Sequence, residues 1–183
     1  MPVAGVVEER VKIPDGIAVA IEGGSVRVSS GKVALVRRLS YPRVSLAVEG
    51  KELRIRCELP KRKEKAIVGT YASHVRNMIE GVSKGWLYRM KIVYSHFPMK
   101  PSVKGNEFVL ENFLGERHPR RAAILGEQTI VRVEGDQVTV QGPDLEAVSQ
   151  TAANIEQMTR IKGFDPRVFQ DGIYIVAKAE AAS

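Results

Sequence analysis

The chain has 183 residues, 44% of them hydrophobic and 6% aromatic, and a formal net charge of +7. That length holds one ordinary domain or two small ones, and the apolar share is enough for a packed core. Its one cysteine, Cys57, excludes an intrachain disulfide and a cysteine-built metal site, and fits a reducing compartment.

In chain order, the first segment, MPVAGVVEERVKI, lacks a basic stretch followed by a long apolar run, so it does not read as a secretory signal. No stretch approaches the roughly 20 apolar residues of a membrane span. The expectation is a soluble, cytosolic protein. IAVAI (17–21) alternates, Gly23-Gly24 turns the chain, and SVRVS returns, which predicts a hairpin. Strands are predicted at 33–39 and 44–48, separated by Tyr41-Pro42, and at 52–56. A helix follows, with Ile67, Tyr71, Val75, Met78, Ile79 and Val82 on its apolar face.

WLYRMKIVYS (86–95) puts Trp86, Tyr88, Met90, Ile92 and Tyr94 on one side of a half-buried strand. Further strands are predicted at 107–113, 129–133, 137–141 and 172–176, with a second helix over 144–159 whose apolar face holds Leu145, Val148, Ala152, Ile155 and Met158. Residues 177–183 carry too little apolar surface to dock and are expected to form a flexible tail.

The two halves repeat one plan. Val-Glu-Gly occurs at 48–50 and 133–135, each time followed by an alternating strand and an amphipathic helix. The offset between copies is 85 residues in the strands and 80 in the helices, so five residues are inserted in the first copy, at the basic PKRKEK (60–65). Many short antiparallel strands with one helix per half give an α+β fold. It is expected as two tandem duplicated domains, each mainly antiparallel sheet with one packed helix, over 1–84 and 85–176.

Catalytic constellations are poorly represented. His74, His96 and His118 have no neighbour at metal-ligand spacing, Cys57 has no local support as a nucleophile, and no glycine-rich phosphate loop or dinucleotide fingerprint occurs. The carboxylates are scattered as on a solvated surface. The sequence gives no reason to expect an enzyme, a metal, a cofactor or a small-molecule substrate.

A basic balance points to phosphate-bearing partners. Residues 1–85 hold 16 basic and 9 acidic side chains, whereas 86–183 hold 12 of each. A basic site in the second half must therefore be a local cluster. Four stretches qualify: Arg37-Arg38 with Arg43, Lys61–Lys65, Lys100–Lys104 and Arg117–Arg121. For the first two, a solvated face or a linker is an equally good reading.

The last two combine cations with prolines that stiffen the loop. Arginine forks suit phosphate, and Tyr94, His96 and Phe97 offer flat surfaces for ribose or an unstacked base. The second helix carries Asp144, Glu146 and Glu156, unlike a helix built to lie on an anionic membrane. This pattern fits RNA.

YSHFPMKPSVKGNEFVLENFLGERHPRRA (94–122), VEGDQVTVQGPDLEAVSQTAANIEQMT (133–159) and FQDGIYI (169–175) closely resemble the sixth large-subunit ribosomal protein family, in its archaeal and eukaryotic branch. VKIPDGIAVAI (11–21) and GTYASHVRNMIEGVSKGW (69–86) fit the same family, so the resemblance covers nearly the whole chain. It implies a tandem duplication of an α+β domain. It also implies a structural role on large-subunit rRNA near the factor-binding region and the sarcin–ricin loop, with the second domain as the main rRNA-binding half.

Bacterial members carry a Lys- and Gly-rich segment near the end. Here the matching KGFDPRVFQDGIY (162–174) has only Lys162 and Arg167 as bases. The candidate RNA-binding residues are Tyr94, His96, Lys100, Lys104, Arg117, His118, Arg120, Arg121, Lys162 and Arg167. Neighbouring ribosomal proteins are the expected partners of the first half. The alternative is a free-standing interaction module with an acidic partner.

Overall fold

A computed structural model describes residues 5–31, 33–95, 97–165 and 167–182. The chain divides into two compact units, Met1–Ser83 and Lys84–Ser183. The first contains β1 (Val6–Lys12), β2 (Ala18–Glu22), β3 (Ser25–Ser30), β4 (Val33–Arg38), β5 (Val44–Glu49), β6 (Glu52–Glu58) and α1 (Arg62–Ser83). The second contains β7 (Trp86–Val93), β8 (Lys100–Lys104), β9 (Glu107–Glu111), β10 (Arg120–Ala123), β11 (Ile130–Glu134), β12 (Gln137–Gly142), α2 (Leu145–Met158) and β13 (Gly172–Ala181).

Every strand pairing is antiparallel. The first unit has sheets ordered β1-β6-β5 and β2-β3-β4; the second has β11-β12-β7-β13 and β10-β9-β8. Each unit thus packs a helix against two sheets, and the duplication is visible in the six strands that precede each helix, β13 being an addition of the second unit. In both, the strand before the helix lies between the unit's first strand and its hairpin partner. Gly50 and Gly135, the repeated glycines, take φ of 61° and 62° as first residues of two-residue hairpin turns, a backbone that side chains resist.

The two offsets reappear in the cores. Leu53 and Ile55 of β6 correspond to Val138 and Val140 of β12, 85 residues on. Val68, Ala72 and Val75 of α1 correspond to Val148, Ala152 and Ile155 of α2, 80 residues on. All ten are fully buried. The inserted residues do not form a linker. They lengthen α1 at its start, so that Arg62, Lys63 and Glu64 precede the position matching Leu145.

Several expectations need correction. The fully buried stripe of α1 begins at Val68 and Ala72, which the predicted face omitted, while Ile67 and Tyr71 lie at its half-buried margin, with Tyr71 still packed against the core. Residues 177–181 are not loose. β13 continues to Ala181 along β7, since ladder hydrogen bonds need no apolar side chain, and Glu180 pairs with Arg89 at 2.9 Å.

The strand predicted over 107–113 ends at Glu111, because Asn112 takes a left-handed conformation, φ 60°. Lys100–Lys104 and Arg120–Ala123 are strands, not loops. Pro101 is tolerated because β8 is an edge strand. The N-terminal strand β1 escapes the alternation test because Glu8 and Glu9 interrupt it, as charges do on sheet edges.

Candidate nucleic-acid interface

The NFLGERHPRRA stretch is a built corner. Asn112 (φ 60°), Leu114 (φ 49°) and Gly115 (φ 76°) fold the chain tightly over a short 3₁₀ turn, Phe113–Gly115. Asn112 Nδ2 donates to the Pro98 carbonyl at 3.0 Å, joining this corner to the 94–99 segment. Phe113 is buried. The positive φ of Gly115 calls for a glycine, and the Phe97 ring packs beside it at ordinary van der Waals distance.

The two arginines at the end of the stretch have opposite fates. They sit on β10, where successive side chains leave opposite faces of the sheet. Arg120 turns inward. Its Nε and Nη2 donate to the two oxygens of Glu116 at 2.8 and 2.5 Å, and its Nη1 donates to the carbonyls of Met158 and Arg160 at 2.6 and 3.2 Å. Its guanidinium carbon lies 4.1 Å above the Phe113 ring centre. Four of five N–H donors are thus spent inside the protein, so Arg120 is a brace and not a free phosphate contact as expected. The hydrogen bond from Arg120 holds the Glu116 carboxyl below its ordinary range. Arg121 turns outward and pairs with Glu107 at 3.1 Å, both side chains well exposed.

The outer face of β8-β9-β10 is a mixed-charge ladder. Lys104 lies 3.7 Å from Glu111, and Lys100 stands opposite Glu111 in register. The cations that the sequence assigned to phosphate here are therefore partly answered by acids. Tyr94 lies past the end of β7 and is 52% exposed, rather than continuing the strand's buried face. His96 lies outside the described residues.

Arg117, His118, Lys162 and Arg167 are exposed, and among the described residues none of their side chains has a hydrogen-bond or ion-pair partner. Arg120 brings part of this set together. By reaching from the corner to the Met158 and Arg160 carbonyls, it ties the 116–120 turn to the end of α2 and to the start of the 160–170 loop. Arg160 is also exposed and unpaired among the described residues, and the sequence reading missed it. It lies just past a predicted helix, in no run of bases, so only the Arg120 contact marks it.

The 160–170 loop exposes apolar groups beside these cations. Phe164 and Val168 are 51% and 60% exposed, and the Phe164 and Phe169 ring centres are 4.9 Å apart. A cleft of about 520 Å³ lies between the end of α2 and β13. In the first unit a cleft of about 590 Å³ is lined by Arg43, Val44, Ser45, Arg56, Glu58 and Leu59. Its polar groups are already spent: Arg43 donates to the Glu58 and Leu59 carbonyls, Ser45 to the Arg56 carbonyl, and Arg56 pairs with Glu58 at 2.9 Å. Among the described residues no group of His, Cys, Asp and Glu could hold a metal ion.

The start of α1 is electrostatically unusual. Lys61, Arg62, Lys63 and Lys65 crowd the positive end of the helix dipole, where anions are favoured. Glu64 is the one acid there, buried, with Arg43 Nη1 3.8 Å away.

Comparison with known proteins agrees with this architecture. The sequence model of the family described as ribosomal protein L6 matches residues 13–85 and 97–172, one segment in each unit. The chain is 48% identical over 179 residues to a protein of Methanococcus vannielii named large ribosomal subunit protein uL6, covering 98% of each chain. Proteins of the same name from Methanothrix thermoacetophila and Methanobrevibacter smithii are 49% and 45% identical over 172 and 178 residues, covering 94% and 97% of this chain and 97% and 99% of theirs. These relatives are ribosomal proteins, not enzymes. With two family segments falling on two copies of one α+β plan, and near-half identity along almost its whole length, the chain belongs to the ribosomal protein L6 family.

Proposed function

We propose that this chain is a structural component of the large ribosomal subunit that binds large-subunit rRNA, and that it works in the cytoplasm beside neighbouring ribosomal proteins. Its place in the subunit is near the factor-binding region and the sarcin–ricin loop, where it supports assembly and translation. The second unit, from residue 85, is the main rRNA-binding half. Membership of the L6 family along the full length carries this reading.

The geometry supports it locally. Arg117, Arg160, Lys162 and Arg167 are exposed cations, with His118 exposed among them, and none of these side chains has a partner among the described residues, in a half whose total charge is balanced. The corner and helix end joined by Arg120 hold Arg117, His118 and Arg160 on fixed backbone, which lowers the entropy lost on binding. The phosphate contacts are expected from Arg117, Lys162, Arg167, Lys100, Lys104 and Arg121, the last two after exchange of a surface ion pair. Such pairs contribute only about 0–1 kcal/mol, so they do not prevent it.

The test is binding of the purified chain to large-subunit rRNA and to an unrelated RNA of equal length across a salt series. Tighter binding to rRNA that persists at higher salt supports a shaped site. Equal and equally salt-sensitive binding to both would leave only a charged surface and sink the proposal.

A further inference from the structure

The DGIY segment, residues 171–174, spends each residue differently. Asp171 is fully buried and its Oδ1 accepts the Ser95 amide at 3.3 Å. Ile173 fills the core. Tyr174, on the opposite face of β13, is 43% exposed and adds nothing to that core. Its ring is nonetheless held in place. A Cβ on Gly172 would stand 3.0 Å from the ring, so the glycine lets Tyr174 fold across it, and the hydroxyl donates to the Gln170 carbonyl at 3.2 Å.

The facing wall is equally fixed. Glu156 Oε1 accepts the Ile175 amide at 2.9 Å and Thr159 Oγ1 accepts the Ile173 amide at 3.1 Å, so two side chains at the end of α2 clamp β13 at a set distance. Between them lies the cleft of about 520 Å³, lined by Glu156, Gln157, Thr159, Arg160, Ile161 and Tyr174.

We infer that this cleft takes one unstacked base of an RNA strand, with Tyr174 as the stacking surface. The inference rests on the rRNA-binding reading above and names a recognition element within it. The volume falls in the range of small-ligand pockets, roughly 300–1,000 Å³, and suits a base with its ribose. Tyr174 and Ile161 give it an apolar wall. The Gln157 side-chain amide, with no partner among the described residues, offers a donor and an acceptor to a base edge.

Arg160 at the rim, and Lys162 two residues on, are cations without acidic partners among the described residues, and they suit the phosphates on either side of an extruded base. The acid in the lining, Glu156, already spends one oxygen on the Ile175 amide. An apolar slot beside unanswered positive charge favours a polyanion carrying a flat ring over a protein side chain.

The experiment uses the full chain and large-subunit rRNA, with unrelated RNA of equal length as control, for wild type, Tyr174→Ala, Tyr174→Phe, Gln157→Ala and Arg160→Ala. Thermal unfolding checks that each variant is folded. Gln157 is exposed on the helix surface, so its replacement keeps the test open should Tyr174→Ala unfold.

Tyr174→Ala is expected to weaken rRNA binding about ten-fold with an unchanged salt slope, because stacking is uncharged. Tyr174→Phe keeps the ring and should bind within two-fold of wild type. Gln157→Ala should lose a few-fold, and Arg160→Ala should lower the slope by about 0.7–0.9. Wild type that prefers rRNA while Tyr174→Ala and Gln157→Ala match it would overturn the base pocket and leave the rRNA reading standing. Wild type with no preference for rRNA would overturn both.

Discussion

Arg120 and Glu116 form a two-pronged ion pair, with donor–acceptor distances of 2.8 and 2.5 Å, on a corner that also holds the end of α2. The pair closes the turn of GERHPR from inside, while the neighbouring Arg121 faces solvent. Two adjacent arginines in one sequence motif thus have unrelated physical roles, and substitution separates them.

Arg120→Ala is expected to destabilise the protein by about 2–4 kcal/mol. It leaves the Glu116 carboxylate unpaired, removes a cap from the Met158 and Arg160 carbonyls, and strips the cation from the Phe113 face. Arg120→Lys should recover little, since one ammonium cannot reproduce a fork that serves a carboxylate and two carbonyls. Arg121→Ala should change stability by less than about 0.5 kcal/mol, as for other exposed pairs. Urea unfolding of the three variants checks this; equal losses at 120 and 121 would refute the inward brace.

The same pair sets a pH dependence. A carboxyl whose folded-state pKa is depressed adds stability above its unfolded value and loses it as pH falls through the folded one. Arg120 depresses Glu116 in this way. Its contribution should therefore be complete at neutral pH and fade below about pH 4, the ordinary range of glutamate. Measured between pH 7 and 3, Glu116→Gln should differ most from wild type at neutral pH and converge with it in acid. A gap that widens in acid would contradict the assignment.

How much of this was legible beforehand follows from which physical signal each element carries. The hairpin at Gly23-Gly24, the repeated turns at Gly50 and Gly135, and both amphipathic helices were readable because local rules and side-chain period create them. The duplication was readable because two offsets, 85 and 80, kept burial in phase.

Strands β8 and β10 were not readable, because a proline in one and four residues in the other give no period. β13 beyond Val176 was not readable either, since backbone pairing holds it. For the candidate site, composition exposed the clusters of cations. It could not tell Arg120 from Arg121, because a strand that short does not announce its faces. Arg160 stands in no run of bases in the sequence, and its tie to the 116–120 corner is made by Arg120.

RNA binding should divide the basic residues along the same lines. Arg117→Ala, Lys162→Ala and Arg167→Ala each remove an exposed cation with no internal partner among the described residues. Each is expected to lower the slope of log affinity against log salt by about 0.7–0.9 without loss of stability. Lys104→Ala should lower it less, because Glu111 already offsets part of that charge in the free protein. A residue whose removal leaves the slope unchanged makes no phosphate contact.

The start of α1 supplies the converse case. Lys61, Arg62, Lys63 and Lys65 oppose the helix dipole, and each such charge costs on the order of 0.3–1 kcal/mol at low ionic strength. Lys63 is exposed, so Lys63→Glu removes one unfavourable charge and adds a favourable one without disturbing the core. The isolated protein should gain roughly 0.5–1.5 kcal/mol, and the gain should shrink as salt is raised.

A helix that keeps its destabilising charges invites the question of what they meet in the assembled particle. The same variant answers it by incorporation into large subunits. If Lys63→Glu is more stable alone yet incorporates less well, the basic start of α1 faces an anion there. If it incorporates as wild type does, the charges serve only a solvated surface.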